Sequence, residues 1–279
     1  MVLFVTTIRV FLIALITTTA GLRVAAQVQD SVKESSPLIP VKSQSRIYVG
    51  PVAGGNRSMY ASGFQSVAGA VLCPGFTHGS GNGYYVGLSA EYLLGSPKDS
   101  KSSIIARVVY NYLPAYYEEK GDNLPSLSPD GQVVNSSVRH VAEINYTVVD
   151  LEAIYKLNLF NSNFGIVVGP TVGMVLSADR EEGMELVEPI TSVFDSSLFN
   201  PGDVEYINNG RAIITGRDDI PDKSSIRVAV KAGVQYELPI GRLLLVPCIY
   251  YNYGITEVGP SANIRIDALQ AGIDLRFVL

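Results

Sequence analysis

The clearest pattern in this chain is a strict alternation of apolar and polar residues over residues 226–238. Side chains on a strand point to opposite faces in turn, so the alternation predicts one long strand with an apolar face and a charged face. Its apolar positions are Ile226, Val228, Val230, Ala232, Val234, Tyr236 and Leu238. The run exceeds the roughly five or six residues of a usual strand and reaches the nine to eleven needed to cross a bilayer at a tilt. It therefore suggests a membrane-spanning strand.

Seven further segments carry strand signals, which gives eight predicted strands. They cover about residues 46–53, 83–94, 103–117, 143–157, 164–177, 243–255 and 263–279. In the last segment, Ile264 and Ile266 are out of phase with the apolar residues that follow, which predicts a bulge near Ala268.

The predicted connections alternate in length. The second and third, fourth and fifth, and sixth and seventh strands are joined by short links, whereas the links after the first, third and fifth strands are long. This asymmetry is typical of outer-membrane barrels. The sequence therefore predicts an all-β fold, an eight-stranded antiparallel up-and-down transmembrane β-barrel with short periplasmic turns and long external loops.

Tyrosines fall near both ends of the predicted strands, as expected for aromatic belts at the two membrane interfaces. The predicted outer belt contains Tyr84, Tyr85, Tyr112, Tyr116, Tyr117, Tyr146, Tyr251 and Tyr253. The predicted inner belt contains Tyr92, Tyr155 and Tyr236.

The N-terminus predicts export. Arg9 precedes a short apolar run, and small residues lead to Ala26, which is the layout of a signal peptide cut after Ala26. Residues 1–26 are thus the expected signal peptide, residues 27–45 a flexible periplasmic lead-in and residues 46–279 the barrel.

Composition supports a membrane β-protein. Mean hydropathy is +0.22 and 47% of residues are hydrophobic, yet the longest apolar run after the signal peptide, residues 164–176, is broken by glycine and proline. A chain that crosses lipid without helices must close its strands into a barrel. The net charge of -5 argues against a nucleic-acid partner. The sequence leaves undecided whether Cys73 and Cys248 form one disulfide bond.

These features together resemble the small outer-membrane β-barrel proteins of Gram-negative bacteria. The glycine-rich segments 48–51 and 168–173 look most like the PorT-like family, also called the outer membrane protein beta-barrel domain family. The resemblance covers residues 46–279 and implies a bacterial outer-membrane location, with contacts to outer-membrane lipids and the barrel-assembly machinery. Many such proteins end on an aromatic residue, whereas here Val278 and Leu279 follow Phe277.

Ten charged residues fall on the predicted inward face. They are Glu91, Arg107, Asp150, Glu152, Lys156, Arg227, Lys231, Glu237, Asp274 and Arg276. Because an eight-stranded barrel is only wide enough to be filled by its own side chains, we expect structural ion pairs. A narrow channel for small solutes is the alternative.

A second charged feature is the segment 179–224, which the spacing predicts to be an external loop. It carries eleven Asp or Glu against four Lys or Arg, counted as 179, 181, 182, 185, 188, 195, 203, 205, 218, 219 and 222 against 180, 211, 217 and 223. Such a loop is a solvated surface or, as the alternative, a surface that is bridged by cations or binds an extracellular or periplasmic protein partner. It has no calcium-loop spacing.

Catalysis has little support in the sequence. His78 and His140 both fall in predicted external loops, where nothing orients them or excludes water. We therefore expect no enzyme, no cofactor and no metal. The expected role is structural, in anchoring, surface presentation, adhesion or assistance to secretion. A soluble lipocalin-like barrel with the apolar face inward, and a lipid-modifying barrel enzyme, are further alternatives.

Overall fold

The fold is known from a computed structural model of the chain. It describes residues 46–65, 75–95, 100–160, 162–200, 202–220, 222–259 and 263–279. The predicted signal peptide, the lead-in and Cys73 lie outside the described residues. Within those ranges, no helix has the length and apolar character needed to cross a bilayer.

The described residues form an all-β fold with two short 3-10 turns at Ser196–Leu198 and Asn208–Gly210. The strands are β1 Ile47–Gln65, β2 Gly75–Leu93, β3 Ser102–Leu127, β4 Val133–Asn158, β5 Phe164–Glu188, β6 Val193–Phe194, β7 Glu205–Ile207, β8 Ala212–Asp219, β9 Ile226–Tyr236, β10 Leu238–Ile240, β11 Leu243–Gly254 and β12 Arg265–Val278.

The long strands pair in a ring. β1 to β5 pair antiparallel in chain order. β5 then pairs with β9, β9 with β11, β11 with β12, and β12 with β1, again antiparallel. The predicted all-β, antiparallel, up-and-down arrangement is confirmed. The described chain begins and ends at the same end of the ring, where the Leu279 amide donates to the Ile47 carbonyl over 3.1 Å.

Long loops were expected after the first, third and fifth strands, and the structure instead continues the strands into all three segments. β1 continues to Gln65 and β2 begins at Gly75. β3 and β4 continue as paired strands to Leu127 and Val133, so only residues 128–132 connect them. β5 likewise continues to Glu188 and pairs with β8. The predicted acidic loop is therefore largely folded. We call the parts of β3, β4 and β5 beyond the ring, together with β6 to β8, the extension.

Burial alternates along every ring strand, but the chemistry of the two faces reverses along the strand. In the half of the ring next to the short turns, here called the lower half, the buried face is charged and the exposed face is apolar. A continuous outward row there runs through Pro51, Leu88, Val108, Leu151 and Val172 on adjacent strands.

The half of the ring next to the extension, here called the upper half, has the opposite polarity. Its interior is an apolar cluster that includes Leu113, Tyr117, Ile144, Tyr146 and Ile266. Its outward positions are polar or charged, among them Arg57, Asn82, Glu143, Asp179 and Asp267. The extension has a smaller core of its own around Val138, Leu186, Phe194 and Ile213.

This reversal explains why the predicted bulge near Ala268 is wrong. The pairing of β12 with β1 runs without a register shift from Arg265 to Val278. Ile264 and Ile266 are buried in the apolar cluster of the upper half, and Leu269 is exposed in the lower half. The apolar residues therefore change face because the interior changes from apolar to charged, while the strand itself stays regular.

Glycines let the strands of the lower half approach closely. A Cβ atom on the inward-facing Gly169 would lie 2.1 Å from the Ala153 carbonyl oxygen on β4. No side chain fits at that distance, so the position requires glycine. The missing side chain also leaves room for longer side chains from neighbouring strands.

Candidate functional site

The interior of the lower half is the most unusual chemical feature of the chain. The structure places nine of the ten charged residues singled out in the sequence inside the ring, each at most 3% exposed. The tenth, Glu237, lies at the end with the short turns, where its side chain is 15% exposed. Five of these side chains are basic and five acidic, so the interior carries no net formal charge.

Nearest the short turns, Glu91 is the centre of a group of ion pairs. Its carboxylate contacts both Lys156 and Arg276, and Lys156 also contacts Glu237. The Ser103 hydroxyl donates to Glu91 as well. This carboxylate therefore joins β2, β3, β4 and β12.

One layer further into the ring, Asp274 accepts from two guanidinium groups. Its Oδ2 lies 3.0 Å from Arg107 Nη2 and 2.7 Å from Arg276 Nη2. Its Oδ1 accepts from the Ser89 hydroxyl over 2.6 Å. Arg107 also donates to the Tyr250 hydroxyl over 2.8 Å and stacks over that ring, 4.9 Å from its centroid.

Glu152 and Lys231 form the next pair. Lys231 extends over Gly169, its partner in the register, and contacts Glu152 on β4. Arg107 Nη1 lies 3.9 Å from the other oxygen of Glu152. The Lys231 ammonium is 5.6 Å from the centroid of the Tyr250 ring, on which Arg107 also stacks.

The last polar layer borders the apolar cluster of the upper half. Asp150 Oδ2 accepts from Asn111 over 2.7 Å and lies 3.7 Å from Arg227 Nη1. Gln270 donates to Asn111 over 2.8 Å, and Arg227 donates to the Ile266 carbonyl over 3.0 Å. Asp150 and Arg227 meet because the residue between them in the register is Gly173.

Together these contacts fill the interior. A buried charge is costly unless it is paired, and each of these charges has an opposite charge within salt-bridge distance. Above them, the apolar cluster closes the ring. The arrangement can hold strands together in a fixed register.

Sequence reasoning missed Tyr250 as an interior residue because the seventh predicted strand is apolar on both faces. The outward placement of Tyr251 and Tyr253 was the available signal, since their neighbour must then point inward. The same rule corrects the predicted outer belt. Its members Tyr85, Tyr117 and Tyr146 are buried inside the ring, whereas Tyr84, Tyr116, Tyr251 and Tyr253 are exposed outside. In the inner belt, Tyr92 and Tyr155 are exposed.

The charges of the acidic segment lie outside, on the extension. Arg139 contacts Glu118 and Glu185, and these carboxylates raise the pKa of its guanidinium above the usual value. Lys223 donates to Asp219 over 2.7 Å and lowers the pKa of that carboxyl. Among the described residues, no group of three or more His, Cys, Asp or Glu side chains could hold a metal ion.

The two histidines lie apart. His78 is exposed, with its Nδ1 3.1 Å from the Thr77 hydroxyl, and His140 is buried in the extension. Cys248 is buried as a free thiol, and its Sγ lies 3.8 Å from the Tyr85 hydroxyl.

Comparison with known proteins gives only distant structural likenesses. No family model and no curated protein matches the chain. Among solved structures, Neisserial surface protein A is 16% identical, with a TM-score of 0.32, covering 84% of this chain and 98% of that chain. Outer membrane protein OprG from Pseudomonas aeruginosa is 11% identical, with a TM-score of 0.36, covering 85% and 98%. Ail of Yersinia pestis is 9% identical, with a TM-score of 0.32, covering 83% and 99%. The role of this chain therefore has to follow from its own geometry.

Proposed function

We propose that this chain is an eight-stranded outer-membrane β-barrel that anchors and presents its extension at the cell surface, in adhesion, partner binding or assistance to secretion. The observation that carries the proposal is the reversal of polarity along the ring. The lower half has apolar side chains outside and charged side chains inside. The upper half has polar side chains outside and apolar side chains inside, as in a water-soluble β-structure. A bilayer that surrounds only the lower half places the apolar outer surface in lipid and leaves the polar outer surface in water.

Strand lengths fit this placement. On β2, the exposed apolar positions run from Tyr84 to Tyr92, and on β9 the outward apolar positions, exposed or half-buried, run from Ile226 to Tyr236. Each stretch matches the roughly nine to eleven residues that a tilted strand needs to span a bilayer. β3 and β4, at 26 residues each, are much longer and continue past it. The extension is thus the part exposed to solvent and available to a protein partner.

The two alternative barrels fit less well. A soluble lipocalin-like barrel would need the valines of β9 inside, whereas Val230 is exposed and Arg227 and Lys231 are buried. A narrow channel would need an open interior, whereas ion pairs and the apolar cluster fill it. The proposal also assigns no catalytic role, cofactor or metal. The same proposal includes contacts with outer-membrane lipids and with the barrel-assembly machinery, and membership of the PorT-like family.

Fractionation and gel mobility test the membrane placement. We expect the chain in the outer-membrane fraction, and we expect it to run at a different apparent mass before and after boiling, because a closed barrel stays folded in detergent. Recovery as a free periplasmic protein with one gel mobility would contradict the proposal.

A separate prediction concerns transport. Purified chain inserted into a planar bilayer should leave the conductance at the level of the protein-free membrane, because the interior is filled by paired side chains. A matched preparation of a large porin gives the positive control. Stepwise conductance from this chain would favour the channel.

A further inference from the structure

The outward face of the extension has a notch where its sheet lacks one side chain. In the register, Gly183 of β5 lies between Val141 of β4 and Ile214 of β8, on the face that points out of the ring. A Cβ atom at Gly183 would lie 2.6 Å from the Ile213 carbonyl oxygen, so the position requires glycine. The notch has a volume of about 150 Å³. This is less than the roughly 300–1,000 Å³ of small-molecule sites, and it suits a single long side chain.

The floor and the rim of the notch differ in chemistry. On the floor, Val141 is half-buried, and Ala212 and Ile214 are buried. At the rim, Tyr116 and Glu143 are partners in the register of β3 and β4, and both are exposed. An apolar floor beside an aromatic ring and a carboxylate fits a side chain that has an apolar stem and a basic end.

The charge around the notch is negative. The described residues that line it include no lysine or arginine and four glutamates, which are Glu143, Glu181, Glu182 and Glu185. The last three already pair with arginines outside the lining, in the order Arg217, Arg180 and Arg139. Among the described residues, Glu143 has no basic side chain within salt-bridge distance. An unpaired carboxylate is therefore available at the rim, beside Tyr116.

From this geometry we infer that the notch binds an arginine side chain of a protein partner. The aliphatic stem of the arginine covers Val141 and Ile214, and its guanidinium donates two parallel hydrogen bonds to Glu143 and stacks on Tyr116. Lysine matches this rim less well, because its ammonium is a compact point charge without the planar fork. Arginines held in pockets are frequent hot spots of protein interfaces. The site names a partner class for the presented extension, so its role in the cell rests on the proposed function.

Methyl NMR on the folded chain in detergent micelles tests the notch. The probe is a short peptide with one arginine between glycines, and two matched peptides carry citrulline, its neutral analogue, or norleucine, an apolar stem alone. We expect the arginine peptide to shift the methyl signals of Val141 and Ile214 and to leave those of Val108, in the outward row of the lower half, unchanged. The two matched peptides should bind at least about tenfold more weakly, the loss expected without a charge-assisted hydrogen bond.

Glu143→Gln removes the unpaired carboxylate and keeps the shape of the side chain. Because this side chain is exposed and unpaired, the variant should fold as the unchanged chain does, while its apparent Kd for the arginine peptide rises about tenfold. Glu188→Gln is the matched control, since Glu188 is also an exposed carboxylate on β5 but lies outside the notch. It should bind the peptide like the unchanged chain. Equal weakening in the two variants would mean that the general negative charge of the extension attracts the peptide, and the arginine site would be wrong.

Gel mobility and fractionation separate this site from the proposed function. If the chain shows heat-dependent mobility but the arginine and norleucine peptides bind alike, the occupant is an apolar side chain, so the arginine site is wrong and the barrel stands. If the chain is instead recovered as a free periplasmic protein whose Ile214 signal still shifts with the arginine peptide alone, the proposed function fails and the arginine site stands.

Discussion

Replacing Val108 by arginine should destabilise the folded chain in a bilayer by about 2–4 kcal/mol, the cost of a basic side chain near the middle of a lipid-facing strand. Val108 is 50% exposed and lies in the outward apolar row, between Leu88 and Leu151 in the register. In water, an exposed side chain of this kind could become arginine at a cost within about 0.5 kcal/mol. Equilibrium unfolding in lipid vesicles measures the difference.

Val133→Arg is the matched control. Val133 is 68% exposed at the start of β4, at the tip of the extension and far from the apolar rows. The same exchange there should change the free energy of unfolding by no more than about 0.5 kcal/mol. Equal small effects at the two valines would mean that water covers both, and the membrane placement would then be wrong.

The fold of the lower half could be predicted because its two faces differ so strongly. Alternation of valine with Arg227 and Lys231 identifies the faces of β9 without any structure. Which face pointed inward was not decidable from periodicity alone, since the same pattern describes a soluble barrel with its faces exchanged. The strand lengths and the predicted tyrosine belts favoured lipid outside, and the buried charges agree with that choice.

The upper half could not be predicted on the same rule, because its polarity is reversed. On β3, the outward positions become charged from Glu118 onward, whereas Leu113, Ala115 and Tyr117 on the inward face are apolar, as in a water-soluble sheet. A search for strands with an apolar outer face therefore stops at Tyr117 and interprets Glu118 and the following residues as a loop. The same reversal made Ile264 and Ile266 look like a bulge.

The interior partners were only partly accessible from the sequence. The charged residues could be listed, but the pairs could not, because each pair joins strands whose register is set by the whole ring. Gly169 and Gly173 show why. Each glycine has no side chain, so longer side chains from the two neighbouring strands can meet over it. No local sequence rule says which charged residues will pair in this way.

Lys231→Ala should strongly destabilise the ring. It leaves the Glu152 carboxylate buried with only Arg107, at 3.9 Å, as a basic neighbour. Removing one partner of a buried pair costs about 3–5 kcal/mol, because the remaining charge is left uncompensated. We expect the temperature at which the folded gel band disappears to fall strongly, while the planar-bilayer conductance stays at background.

The double variant Lys231→Met with Glu152→Gln separates loss of the pair from loss of packing. It removes both charges and keeps most of both side-chain volumes, and Arg107 retains Asp274 at 3.0 Å. Replacement of both partners of a buried pair is often close to neutral, so the double variant should recover most of the stability lost in Lys231→Ala. Arg217→Ala, which breaks exposed pairs on the extension, should cost no more than about 1 kcal/mol. If Lys231→Ala melts like Arg217→Ala, the interior charges do not hold the ring together. The equal numbers of acidic and basic side chains inside the ring would then need another explanation, such as a hydrated and conducting interior.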